Sequence, residues 1–197
     1  MPILTVGDKF PDFDLIAVKP GDLVMVDAYK QEDYFTRVSS QDRRPGIWTV
    51  VFFWPKNFSF VCPTEITAFS EHYQEFRVHN CQVIGVTTDN EYSTFAWRRM
   101  HPDLRAVPFP LASDLTHDFV RECGVLNSGG VCDRATFILD PDWNIQHVSV
   151  AASNVGRSVM EIIRQVEALQ TGAMCFADWR AGQYHINPLE ELREIAV

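Results

Sequence analysis

Residues 48–65, WTVVFFWPKNFSFVCPTE, decide how the chain reads. The run Trp48 to Trp54 is continuous apolar sequence, rich in aromatic and β-branched side chains. Such a run suits a central strand buried on both faces. A loop containing Pro55 follows. Pro63 to Arg77 then reads as a helix, because Ile66, Phe69, Tyr73 and Phe76 recur at spacings of three and four. Pro63 suits the first helical position, where its missing N–H has no partner in any case. This places Cys62 at the N-cap. There, unpaired N–H groups and the positive end of the helix dipole face its sulfur and favour thiolate over thiol. A free cysteine more commonly serves as a small buried hydrophobe. Cys62 differs by standing where a helix follows a central strand, the place where ligand sites of α/β folds gather.

The flanking sequence keeps the same rhythm. Gln82 to Thr87 reads as a second buried strand, Glu91 to Met100 as a helix stopped by Pro102, and Phe109 to Ala112 as a short strand. A short helix follows over Asp114 to Cys123. Ala135 to Leu139 and Ile145 to Val150 flank an Asp/Pro/Asn turn and read as a hairpin. Ser158 to Gln170 is a helix with a capping box at Ser158 and Glu161 and a stripe of Val159, Ile162, Val166 and Leu169. Tyr29 to Arg44 is polar and reads as a long surface loop. The last residues, with Cys175, Trp179 and Pro188, read as an arm. The pattern predicts an α/β fold, a mixed central sheet flanked by helices. Its expected division is a domain over 1–170 and a C-terminal arm over 171–197.

Composition narrows the partners. The 197 residues are 46% hydrophobic and 22% charged, ordinary values for a globular chain. A formal charge of −9 argues against nucleic acid or an anionic membrane as partner. No apolar run approaches the ~18 residues of a membrane span. The opening MPILTVGDKFPDF has no basic leader before an apolar stretch, so the expected location is cytoplasmic. In that compartment most of the cysteines at 62, 81, 123, 132 and 175 are expected to be reduced at rest, and a disulfide, if one forms, to be catalytic and transient. No C-x-x-C pair occurs, and no cysteine and histidine share zinc-ligand spacing. Glu65 stands where a dithiol exchanger would carry its second cysteine. A partner thiol for Cys62 must therefore come from elsewhere in the sequence or from another chain.

The segment Pro55-x-x-x-Ser59-x-x-Cys62-Pro63-Thr64-Glu65 resembles the active-site loop of peroxiredoxins. The chain is most similar to the typical 2-Cys class, the alkyl hydroperoxide reductase C-subunit group. FFWPK before the loop and GVLN…DRATFI after it resemble its actinobacterial branch. The likeness runs from Val6-Gly7-Asp8 to Met174-Cys175. It implies a thioredoxin-like fold with peroxiredoxin additions and a thiol-dependent peroxidase that reduces hydrogen peroxide and organic hydroperoxides. No metal, haem or flavin is needed in such a chain.

The resemblance also implies roles. Cys62 attacks peroxide, the Ser59 hydroxyl holds it in line, Pro55 shields the sulfur, and Arg134 stabilises thiolate and leaving oxygen. Glu65 and Arg157 orient that arginine. On composition alone Arg134 is a strand-edge surface charge, and Glu65 a first-turn residue favoured by the helix dipole. Ser59 departs from the usual threonine and loses a methyl that restrains its rotamer. Cys175 matches the resolving cysteine, which implies an intersubunit Cys62–Cys175 disulfide in a homodimer and rings of five dimers. Phe176 replaces the proline of that motif, and Ala177 stands where the branch often has another cysteine. Cys81 and Cys123 read as structural, whereas Cys132, two residues before Arg134, is a candidate accessory thiol. The disulfide implies a thiol reductant protein: thioredoxin, a flavoprotein reductase subunit or a disulfide-relay partner. Peroxide-sensitive members carry a Gly-Gly-Leu-Gly insertion and a C-terminal Tyr-Phe pair. His101 to Pro108 and the tail Arg193 to Val197 lack both, which implies slow overoxidation. Two rival functions on the same fold are an oligomeric holdase chaperone and a redox-sensing relay protein. A cysteine hydrolase is a weaker rival, since no histidine stands in a recognisable place to act as base.

Overall fold

The computed structural model describes residues 2–23, 31–188 and 191. Two compact units divide the chain, Met1–Arg157 and Ser158–Val197.

The first unit is built on one mixed sheet. Its strands among the described residues are β1 (Asp14–Val18), β2 (Phe35–Ser39), β3 (Trp48–Phe53), β4 (Cys81–Thr87), β5 (Leu111–Ser113), β6 (Arg134–Leu139) and β7 (Ile145–Ala151). They lie in the order β2-β1-β5-β4-β3-β6-β7. β3 runs parallel to β4 and antiparallel to β6. From Thr49 onward, β3 is buried on both faces, as its continuous apolar run requires. Val51 and Phe53 face a core with Phe10, Phe13, Phe119, Phe137 and Trp143. On the opposite face Phe52 stacks on Phe69 at 4.3 Å, with Phe109 edge-on at 5.8 Å. Burying each such ring stabilises the fold by roughly 1.5–3 kcal/mol.

The α-helices of this unit among the described residues are α1 (Gln31–Tyr34), α2 (Cys62–Glu71), α3 (Tyr73–Val78), α4 (Glu91–Met100) and α5 (Asp118–Glu122). α4 has the bounds expected for it. Asn90 caps it by accepting the Ser93 N–H at 2.8 Å, and Pro102 lies just beyond its end. The helix expected over Pro63 to Arg77 is instead two helices, parted at His72 (φ −94°, ψ 9°). The apolar stripe continues across the break, so periodicity does not register it. The His72 ring contacts Glu75 at 2.7 Å, in the first turn of α3.

Other boundaries differ as well. The stretch read as a surface loop holds, in its described part, α1, β2 and a 3-10 turn over Ser40–Asp42; Tyr29 and Lys30 lie outside the described residues. Among the described residues β2 pairs with β1 alone, and its FTRVS, half-buried with Arg37 exposed, reads as polar. β1 went unread because DLIAV is short and carries little alternation. The strand expected at Phe109 to Ala112 begins at Leu111, after Pro110, which has no N–H to donate.

In the second unit, α6 (Val159–Thr171) is capped by Ser158, whose Oγ accepts the Glu161 N–H at 3.2 Å. It ends at Gly172, in the left-handed conformation that glycine enters without strain (φ 63°). The following segment closes on itself. Ile186 N–H donates to the Met174 carbonyl at 2.8 Å, and the Trp179 indole to the Tyr184 carbonyl at 3.1 Å. Arg164 of α6 donates to the Trp179 carbonyl at 3.0 Å. The tail Arg193 to Val197 lies outside the described residues. Among the described residues, no helix is long and apolar enough to cross a membrane.

Candidate active site

Cys62 is the first residue of α2, one position inside the N-cap expected for it; Val61 is the cap, and it is helical rather than extended (φ −85°, ψ −40°). The sulfur still meets the amino end of the helix, whose first N–H groups have no carbonyl ahead of them. Cys62 is 1% exposed. It forms part of the wall of a cavity of about 440 Å³ that Pro55, Ser59, Cys132, Asp133 and Arg134 also line.

Arg134 opens β6. The register places Phe52 opposite Thr136, so the carboxyl end of β3 and the start of β6 share one end of the sheet. From there both terminal guanidinium nitrogens of Arg134 lie 3.7 Å from the Cys62 sulfur. One of them also donates to the Ser153 carbonyl at 2.7 Å and the other to the Glu65 carboxylate. The Arg134 Nε–H is buried and has no partner among the described residues. A buried donor left unmade is expensive. It is therefore available to an oxygen atom brought into this region.

Glu65, one helical turn from Cys62, is a hub. Its Oε1 accepts the Arg157 main-chain N–H at 2.8 Å and the Arg157 Nε–H at 2.9 Å. Its Oε2 accepts a terminal Arg157 N–H at 2.9 Å and one from Arg134. Arg157 is held in turn by the Ala135 carbonyl at 2.7 Å and the Thr136 hydroxyl at 3.2 Å, and it lies 5.3 Å from the Phe52 ring centroid. Burial pushes the Arg157 guanidinium below its ordinary range, and the Glu65 hydrogen bond opposes that shift. Two guanidinium cations against one carboxylate leave one positive charge in a buried cluster. That charge faces the Cys62 sulfur.

The loop between β3 and α2 is tied down at its start. Asn57 accepts the Trp54 indole N–H at 3.0 Å and donates to the Ser93 and Thr94 hydroxyls at 3.2 and 2.9 Å. Its main-chain N–H reaches the Asp89 carboxylate at 2.6 Å. Sequence reading missed Asn57 and Asp89, which meet from positions 32 residues apart along the chain. The structure also brings in a main-chain group with no side-chain signal, the Ser153 carbonyl. The Ser59 hydroxyl donates to the Lys56 carbonyl at 2.9 Å, which leaves its oxygen free to accept from within the cavity.

Burial pushes the Cys81 thiol up to about 12 and raises those of Cys123 and Cys132 as well. Cys132 lines the cavity yet is fully buried, so it stays a neutral thiol. Cys175 is half-buried, with its sulfur 3.6 Å from the Thr171 hydroxyl and 3.8 Å from the Ala168 carbonyl. A larger cleft of about 620 Å³ lies beyond Ser59 and Phe60, against Phe58, Trp97 and Met100. No cysteine lines it.

Comparison with known proteins agrees with this arrangement. The AhpC/TSA family matches residues 6–148. An alkyl hydroperoxide reductase C of Mycolicibacterium smegmatis is 50% identical over 192 residues, 98% of each chain. The solved structure of Mycobacterium bovis AhpC superposes with a TM-score of 0.85 at 49% identity, covering 91% of this chain and all of that one. A reduced 2-Cys peroxiredoxin of Plasmodium vivax reaches 0.84 at 27% identity, covering 98% of each. With the fold, the buried cysteine and these likenesses together, the chain belongs to the AhpC/TSA family.

Proposed function

We propose that the chain is a thiol-dependent peroxidase that reduces hydrogen peroxide and organic hydroperoxides, with Cys62 as nucleophile and Cys175 as resolving thiol. The observation that carries this reading is the Arg134 guanidinium, with two nitrogens 3.7 Å from the Cys62 sulfur at the wall of a cavity. The thiolate attacks the terminal peroxide oxygen and the O–O bond breaks. The alkoxide or hydroxide leaves, takes up a proton, and Cys62 becomes a sulfenic acid. Arg134 faces the charge that develops on the oxygens, and its unpartnered Nε–H is a further donor. Ser59 orients the peroxide, and Pro55 limits access of water to the sulfur. Glu65 and Arg157 position Arg134. Cys175 then attacks the sulfenic acid sulfur, releases water and closes a disulfide.

In this reading Cys62 and Cys175 come from two copies of the chain, with residues 1–170 as catalytic body and 171–197 as the arm that crosses between them. The homodimer further assembles into a ring of five dimers. Exposed Phe58, Phe60 and Met100 around the larger cleft support an assembled state. A thiol reductant protein, whether thioredoxin, a flavoprotein reductase subunit or a disulfide-relay partner, returns the disulfide to two thiols in the cytoplasm.

The test is a non-reducing gel after one equivalent of hydrogen peroxide. Wild type should give a covalent dimer that Cys62→Ser and Cys175→Ser both abolish. A dimer that persists without Cys175 overturns its role as resolving thiol. If peroxide leaves Cys62 reduced, the peroxidase reading fails.

A further inference from the structure

At the opposite end of β3 and β4 from Cys62, two adjoining cavities of about 390 and 510 Å³ share Arg44, Tyr73 and Gln82 as lining. Arg77 of α3 and Asn80, just before β4, line the smaller one together with Ile47 and Cys81. Acidic residues outnumber lysine and arginine 26 to 17 in this chain, so an arginine has many carboxylates to choose from. Among the described residues, neither Arg44 nor Arg77 pairs with one. Asp42 lines the larger cavity, but its carboxylate accepts the Ser39 main-chain N–H at 3.0 Å. Arg43, also on that lining, lies 5.8 Å from the Trp143 ring centroid. Tyr73 is half-buried, and burial raises its hydroxyl above the ordinary value, against the nearby charge of Arg77. It therefore holds its proton at neutral pH and can donate. The result is a positive, donor-rich cleft in an acidic protein.

We propose that Arg44 and Arg77 bind a phosphate-type oxyanion in this cleft, with the Tyr73 hydroxyl as a third donor. One guanidinium fork satisfies the two oxygens of a carboxylate. Two forks and a hydroxyl suit a tetrahedral anion with more oxygens and nearly two negative charges. The assignment is independent of the chemistry at Cys62, since none of these residues touches that site.

The test is protection from phenylglyoxal, read residue by residue by peptide mass spectrometry on the whole protein at constant ionic strength. The probes are inorganic phosphate, glycerol phosphate and acetate. Phosphate should slow modification of Arg44 and Arg77 saturably and leave exposed Arg180 unchanged. Protection by glycerol phosphate as well assigns the site to phosphate esters; protection by the inorganic ion alone assigns it to free phosphate. Arg44→Gln should weaken protection of Arg77 by about tenfold, the scale of one lost charge-assisted hydrogen bond. Both arginines are exposed, so the variant leaves the core intact; its unfolding temperature without phosphate should match wild type. Equal protection by acetate, equal slowing at Arg180, or full protection of Arg77 in Arg44→Gln would each overturn the proposal.

Discussion

Replacing Glu65 by glutamine changes one oxygen to an amide nitrogen and removes one charge. Four N–H groups converge on this carboxylate, three from Arg157 and one from Arg134, and its side chain is only 2% exposed. A glutamine oriented to accept at Oε1 turns its NH₂ toward donors of both arginines. Two buried cations then face each other without the anion between them. Breaking a buried pair by removing one partner costs about 3–5 kcal/mol. At roughly 2–4 °C per kcal/mol for a chain of this size, the unfolding temperature should fall by roughly 6–20 °C. Arg134 loses the contact that aims it at Cys62. The peroxide step should therefore slow by about a hundredfold, the scale of one misplaced electrostatic stabiliser. The rate is best read in a Cys175→Ser background, where stopped-flow tryptophan fluorescence reports the first oxidation alone. The reasoning is refuted if the variant loses stability yet oxidises at the wild-type rate. That result would make Glu65 a structural residue and not a positioning one.

Other perturbations probe other parts of the molecule. A Cβ on Gly85 would stand 2.7 Å from Leu111 and 2.8 Å from Phe52, so Gly85→Ala should lower stability by about 1–3 kcal/mol in urea unfolding. An unchanged midpoint would mean the core yields there. Cys81 has a folded-state pKa raised from 9.0 to about 12, so its contribution is complete below 9 and is lost as pH rises toward 12. Unfolding free energies across that window should fall more steeply for wild type than for Cys81→Ala; parallel curves would refute the assignment. Low equivalents of peroxide should yield disulfide and little sulfinic acid at Cys62. Mass spectrometry showing rapid sulfinic acid would contradict the resistance implied by His101 to Pro108.

The central strand was legible because Trp48 to Trp54, with Thr49 as its one hydroxyl, has no polar face to expose. The place of Cys62 at a helix start was legible because Pro63 announces one. His72 was hidden, since Ile66, Phe69, Tyr73 and Phe76 keep their spacing through the break. The edge strand Phe35–Ser39 was hidden by polarity that belongs to its exposed side. Arg134 carried no local signal. Its approach to Cys62 depends on the pairing of β3 with β6, and only the resemblance to peroxiredoxins anticipated it. Asn57 and the Ser153 carbonyl act through distant partners, and no reading of neighbours along the chain reveals them.

The mooring of Asn57 has a mechanical consequence. Asn57 is bonded to Trp54, just after β3, and to Ser93 and Thr94 of α4, whereas among the described residues the Ser59 and Thr64 hydroxyls bond only to Lys56 and Val61. Between the two regimes stands Phe58, a non-glycine residue at φ 53°. Holding such a residue in the left-handed region costs about 1–3 kcal/mol. Releasing the first turn of α2 would let Phe58 relax, but that relief is small beside the Glu65 contacts to Arg134 and Arg157 that would be given up. Asn57 therefore fixes the start of the loop, and Glu65, through Arg134 and Arg157, fixes its end at Cys62.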